Sequence, residues 1–408
     1  MQRRVGAGVT DFRKIMSTTT AVGEKDPFVR LPARIIFTPR GLDLVGSSPS
    51  VKKVTSRDGL PKEGLESESY NAQTIQKLVM KSCIEEINVS LPDLLRKRFE
   101  IISTNNLIVY GVLYKKLTPS LARTLFESSV VKEYNRKNPK NSIVDLNHIS
   151  PQKVEALQQN NPELIEGMKR NLREIITEKI LGATSLSEED QQARVRALPR
   201  FLDRVDPRIW FIFYVISHTG FKSAIERTFA SMIFSYLHHT QIATHLSNLL
   251  MEFIQNAEKA HFERLIVRHG LADRGAVDTF LRDPENRKKV IALAQKTMQM
   301  LELSWTMNPE RNTIGQQYRI LISISNYGLI DERLSQQLAR KMKTNTDGIT
   351  LASFYGSDEE DGKLGAGLGL LYNSYLEDIC RQEGIQYRCN IYPEPKREKT
   401  TVRIDMTL

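Results

Sequence analysis

The sequence predicts an α+β protein in three parts: a disordered basic tail over residues 1–69, a mostly helical region over 70–205, and a mixed sheet sandwiched under helices over 206–408. Three observations predict it. The first sixty residues are rich in Ser, Thr, Gly, Pro and cations, amphipathic stripes at helical spacing dominate the middle, and period-two alternation appears near residues 301–324. Helices face one way every 3.6 residues and strands every two, so the change of period marks a change of architecture.

The tail comes first. Residues 1–60 hold eleven Lys/Arg against five Asp/Glu, an excess of six in a chain whose net charge is +10. Such a composition buries too little apolar surface to offset its ordering entropy, so disorder is expected. Loose tails carry excess charge without a ligand, and nucleic-acid binding is therefore disfavoured as the function. No apolar run approaches the roughly 18 residues a bilayer span needs, and the N-terminal arginines are not followed by an apolar core. Three cysteines, Cys83, Cys380 and Cys389, lack metal-ligand spacing and read as reduced thiols. The expected location is the cytoplasm.

In the middle region, Ile75, Leu78, Val79 and Ile87 predict a helix from about residue 70, and Leu107–Leu113 a short strand or a buried segment. Thr118-Pro119 reads as a cap with proline at the first helical position, and Ser187 followed by Glu188 and Glu189 as another helix start. No catalytic constellation occurs before residue 206. This part is expected to bind a partner protein, a second copy of the chain included.

The C-terminal part carries the chemistry. In "THLSNLLMEFIQNAEKAHFERLI", Glu252, Asn256 and Lys259 fall on one helix face at i, i+4 and i+7. A carboxylate, an amide oxygen and an ammonium in a row suit a magnesium triphosphate, because Mg²⁺ prefers oxygen ligands and lysine pairs with phosphate. An insert at about 266–298 reads as two further helices. Leu301, Leu303, Trp305 and Met307 then alternate, as do Ile320, Ile322 and Ile324, with Asn308-Pro309 as the turn between them. The hairpin ends in Asn326-Tyr327-Gly328. Downstream, "GKLGAGLGLL" places Gly365, Gly367 and Gly369 before a helix, where backbone N–H groups can face phosphate.

These motifs, in this order, resemble the ATP-binding domain of gyrases, heat-shock chaperones, histidine kinases and mismatch-repair ATPases: the GHKL superfamily, with its Bergerat fold. The resemblance covers about residues 240–408. It implies ATP (or ADP) and Mg²⁺ as ligands. Asn256 would hold the metal, Lys259 a phosphate, and Glu252 would act as general base. Asn326 and Gly328 would stand in the first glycine box, with Phe354 and Tyr355 in the lid. Gly365, Gly367, Leu368 and Gly369 would form the second glycine box, with Thr400 and Thr401 near the adenine. Two departures follow. The family aspartate that accepts from the adenine amino group is Asn326 here, and the second glycine of that box is Ile330. An amide oxygen accepts without charge assistance, which weakens base recognition by about 1–2 kcal/mol. None of the seven histidines stands beside a carboxylate on a dimerisation helix, as a self-phosphorylating sensor kinase needs. The expected function is a nucleotide-binding signalling protein that transfers phosphate to a partner. The alternative is a degenerate pseudo-kinase scaffold.

Overall fold

The computed structural model describes residues 27–46, 48–312, 315–330 and 368–408. The lid residues Phe354 and Tyr355, the glycines Gly365 and Gly367, and the first 26 residues of the expected tail lie outside the described residues. The chain divides into two compact units, Met1–Ile108 with Thr244–Leu408, and Val109–Ala243.

The first unit is built on strands. A two-stranded ribbon pairs β1 (Phe28–Val29) with β5 (Tyr70–Asn71). The main sheet has eight strands in the order β3 (Lys52–Thr55), β4 (Pro61–Ser67), β2 (Ala33–Phe37), β6 (Ile84–Leu91), β7 (Leu301–Asn312), β8 (Gly315–Tyr327), β10 (Lys399–Thr407), β9 (Gln386–Glu394). Every neighbouring pair is antiparallel, so the expected mixed sheet is corrected to an antiparallel one.

Residues 27–69 are also corrected: they form strands and a helix, α1 (Pro39–Val45), in place of a disordered tail. Composition missed them because "ARIIF" is a short apolar run between basic residues. Its Ile35 and Ile36 are almost fully buried against the rest of the sheet. The helix expected from residue 70 is shorter than its periodicity implied. Asn71 caps α2 (Ala72–Met80) by accepting from Thr74 N at 2.9 Å, and the chain turns at Ser82, φ +55°. Ile84, Ile87 and Val89 then follow as strand β6, where β-branched side chains suit the pleat. Likewise, β7 runs on through Asn308-Pro309 in place of turning there.

Alternation sorts the sheet into two faces. Ile35, Ile87, Trp305, Ile322, Ile404 and Cys389 lie opposite one another on successive strands, and so do Arg34, Asn88, Ser304, Ser323, Arg403 and Asn390. The first row belongs to the apolar face. Helical residues reach it there: Trp305 Nε1 donates to Asn105 Oδ1 at 3.1 Å, and Asn105 Nδ2 to Ser247 Oγ at 2.9 Å. The last helix, α13 (Leu368–Gln382), lies beside β9, and Tyr387 Oη donates to Asn373 Oδ1 at 2.7 Å.

The second row is polar and lies on a concave face. Eight strands about 4.8 Å apart would hold the edge strands β3 and β9 about 34 Å apart if the sheet were flat. Yet Arg57, just past β3, reaches Tyr392 Oη and Glu394 Oε1 of β9, each at 3.3 Å, and its carbonyl accepts from Arg397 Nη1 at 2.7 Å. The sheet therefore curls until its two edges meet over the polar row.

The second unit is helical. Its helices are the latter part of α3 (Arg98–Glu127), α4 (Ser129–Lys137), α5 (Pro151–Asn160), α6 (Pro162–Leu181), α7 (Glu188–Arg204), α8 (Pro207–Ser217), α9 (Lys222–Tyr236) and the start of α10 (His239–Arg268). Of the two readings of 107–113, the strand is corrected: the segment is buried within helix α3, and Pro119 sits inside that helix, not at a helix start. Val109, Leu113, Leu117, Leu121 and Leu125 are all buried at steps of four, and that stripe outweighs the hydrogen bond Pro119 removes. Ser187 caps α7 through Asp190 N at 3.2 Å. Tyr110, Tyr114, Phe201 and Tyr236 form an aromatic cluster in this unit's core. No helix among the described residues is long and apolar enough to cross a membrane.

Candidate functional site

In the first unit, α10 lies against the apolar face of the sheet, and between them opens a cavity of about 690 Å³. Phe253, Asn256, Ala257, Ala260, Arg264 and Val267 contribute from the helix, at the three- and four-residue steps that align one face. From the sheet come Asn326 at the end of β8, Gly328 and Ile330 beyond it, Ile391 of β9, and Thr400 and Val402 of β10. The space exists because Ala257, Ala260 and Gly328 are small where the helix passes the strand ends.

The loop after β8 is held by backbone and hydroxyl bonds. Thr400 pairs with Asn326 in register, donates from Oγ1 to Gly328 O at 2.6 Å, and accepts from Ile330 N at 3.1 Å. Gly328 N donates to Glu398 O at 2.8 Å. Gly328 adopts φ +116°, and a Cβ there would meet Arg264 Cδ at 3.1 Å, so both conformation and space favour glycine.

Of the residues singled out in the sequence, the structure brings Asn256, Asn326, Gly328 and Thr400 to this cavity. Glu252, one turn before Asn256, is half-buried and does not line it. Burial raises its carboxyl pKa, against the nearby positive charge of Arg98. Lys259 is exposed and paired with Asp278 Oδ1 at 3.3 Å on α11 (Val277–Arg282). Thr401 points to the polar face, fully buried, sharing a hydrogen bond with Ser325 Oγ at 2.7 Å and donating to Glu394 Oε1 at 2.7 Å. Leu368 and Gly369 open α13. Among the described residues no three His, Cys, Asp or Glu side chains gather as a metal cluster.

Sequence reasoning missed three cations at the cavity, Arg264, Arg268 and Arg274. Arg264 lies eight residues after Asn256, about two turns along the same helix face, a spacing that could have found it. Its Nη2 approaches Glu398 Oε2 at 3.5 Å, while its buried Nη1 has no hydrogen-bond partner. Arg274 Nε pairs with Glu263 Oε1 at 3.3 Å, and both line the same cavity.

Beneath the cavity, the helices α11 and α12 (Pro284–Lys296) pack on the far side of α10, with Phe262, Leu265, Ile266, Val290 and Ala294 in one cluster. Nearby His261 is fully buried, hydrogen-bonded through Nε2 to Gln299 O at 2.9 Å, and its pKa is pushed down to about 4 by burial, with Arg264 adding repulsion. A histidine held neutral in the fold but titrating near 6.5 when unfolded stabilises fully above 6.5 and loses that contribution as pH falls toward 4. Urea unfolding of wild type and His261→Gln across pH 7.5 to 4 should therefore show the wild-type advantage shrinking by roughly 3 kcal/mol. Parallel profiles would show that His261 titrates normally.

Comparison with known proteins adds two matches. An uncharacterized protein of Treponema pallidum (strain Nichols) is 22% identical over 381 residues, which span 93% of this chain and 97% of that protein. No solved structure matches. Residues 24–408 match a family of unknown function, DUF8084, and because that match takes in nearly the whole chain, the protein belongs to this family.

Proposed function

We propose that the cavity between α10 and the strand ends binds an adenine nucleotide with Mg²⁺, and that the chain is a nucleotide-binding signalling protein. The observation that carries this reading is convergence. Asn256, Asn326, Gly328 and Thr400 come from three motifs spread over some 145 positions, and all four line one cavity large enough for a base and ribose. The order β7, β8, β10, β9, with α10 and α13 beside it, fits the succession of helix, hairpin, helix and hairpin that a Bergerat domain requires.

The described residues fit the base end better than the metal end. Asn256 offers one amide oxygen to Mg²⁺, which would neutralise phosphate charge, while Arg264, Arg268 and Arg274 supply cations to an anionic ligand. Lys259, engaged with Asp278, does not join them. Glu252 stands outside the cavity lining, and this favours binding over hydrolysis, the pseudo-kinase form of the reading.

Titration calorimetry with ADP and a non-hydrolysable ATP analogue, with and without Mg²⁺, tests it. Asn326→Asp should tighten adenine nucleotide binding by up to about tenfold, since a carboxylate restores a charge-assisted hydrogen bond, and should favour ATP over GTP. Asn256→Ala should remove the magnesium dependence more than the affinity. Equal magnesium dependence in wild type and Asn256→Ala, or no heat with any nucleotide, would count against the assignment.

A further inference from the structure

The opposite face of the sheet holds a second cavity, of about 330 Å³, half open to solvent and lying where the curled edges meet. Its floor is the polar row: Asn88, Ser304 and Ser323 lie side by side on β6, β7 and β8, each buried to 95% or more. Its rim is cationic, from Arg34, Arg57, Arg397 and Lys399.

Two features set this cavity apart from an ordinary polar crevice. Sheet faces turned inward usually become apolar, because each buried polar group must find a partner. Here the inward face is polar across at least four strands, and Ser304 Oγ, fully shielded from solvent, has no hydrogen-bond partner. The cations are also unequally paired. Lys399 pairs with Glu302 at 2.7 Å, and Arg57 and Arg397 share Glu394 at 3.3 and 3.8 Å. Arg34 makes no ion pair or side-chain hydrogen bond among the described residues. Arg34 lies directly beside Asn88 in register, and its other cross-strand neighbour, Glu66, is paired with Lys52 at 2.7 Å. The cavity thus has a floor of neutral hydrogen-bonding groups, and beside it a guanidinium that feels the charge of Glu66 but makes no direct ion pair or side-chain hydrogen bond among the described residues.

We propose that this second cavity binds a small hydroxyl-bearing anion of the phosphorylated polyol or sugar class. The phosphate would take the uncommitted fork of Arg34, and the hydroxyls would take Ser304, Ser323 and Asn88. Guanidinium is suited to phosphate because its planar N–H pairs match two oxygens at once. The site lies on the other side of the sheet from Asn256 and Asn326, so it stands whether or not the first cavity takes a nucleotide.

The test is calorimetry with inorganic phosphate and with glycerol phosphate, on the full chain. Three variants are compared with wild type: Arg34→Gln, Ser304→Ala, and Ala257→Phe, which fills the first cavity. Glycerol phosphate should bind wild type more tightly than inorganic phosphate does, and Ala257→Phe equally well. Arg34→Gln should weaken both ligands by about tenfold, the worth of one charge-assisted bond. Ser304→Ala should remove the advantage of glycerol phosphate while raising the melting temperature of the ligand-free chain, because an unpartnered buried hydroxyl is gone. A merely structural serine would not move these two readouts in opposite directions. The proposal is overturned if neither ligand binds wild type up to about 10 mM, if Arg34→Gln leaves affinity unchanged, or if Ala257→Phe abolishes binding.

Discussion

Trp305→Ala is expected to destabilise the protein by about 4 kcal/mol or more, since a large core truncation costs roughly 3–5 kcal/mol and an orphaned buried amide adds to it. Trp305 is fully buried at the middle of the apolar row, opposite Ile87 on one side and Ile322 on the other. Its indole N–H satisfies Asn105 Oδ1, and the same Asn105 donates to Ser247, so the side chain ties β7 to both α3 and α10. Truncation would open a cavity and leave Asn105 without its donor in a dry site. Trp305→Phe keeps most of the volume and should cost only the hydrogen bond, about 1–2 kcal/mol. Urea unfolding measures both. A loss below about 2 kcal/mol for the alanine variant would mean that the core repacks around the gap.

Ala257→Phe should lower nucleotide affinity at least 100-fold, about 2.7 kcal/mol, while leaving the fold intact. Ala257 follows Asn256 on α10 and faces the cavity, where its small side chain leaves the space that a base would enter. A phenyl ring turned into that space needs little adjustment of neighbouring side chains, so the melting temperature should change modestly. Calorimetry with ADP reads the affinity, and circular dichroism checks the fold. Unchanged binding with an unchanged fold would place the nucleotide elsewhere.

The parts of this molecule that were legible in the sequence are those where one period runs unbroken. Leu301, Leu303, Trp305 and Met307 alternate cleanly and form β7, and Ser187 with its following glutamates caps α7. Asn256, Asn326, Gly328 and Thr400 were singled out because each stands in a stretch that resembles a separate motif, and the structure brings the four to one cavity. What was hidden depended on long-range pairing. The strand "ARIIF" is apolar for only three residues in a row, and it becomes a strand because β4 and β6 flank it. Likewise, Ile75 through Ile87 mixes helical and strand periods across the turn at Ser82. Lys259 shares the helix with Asn256 but is drawn to Asp278 of the insert, a partner that spacing within one helix could not show. Thr400 and Thr401 look alike in sequence, yet the pleat sends one to the first cavity and the other to the polar face.

The central claim is that the cavity beside α10 holds a magnesium nucleotide, and hydrogen exchange with and without Mg²⁺·ADP addresses it by location. Binding there should slow exchange at the amides of Asn326–Ile330 and along residues 253–268, and leave β6 and the polar side of β7 unaffected. Saturating Mg²⁺·ADP that protects none of those amides, or only amides remote from them, would contradict it.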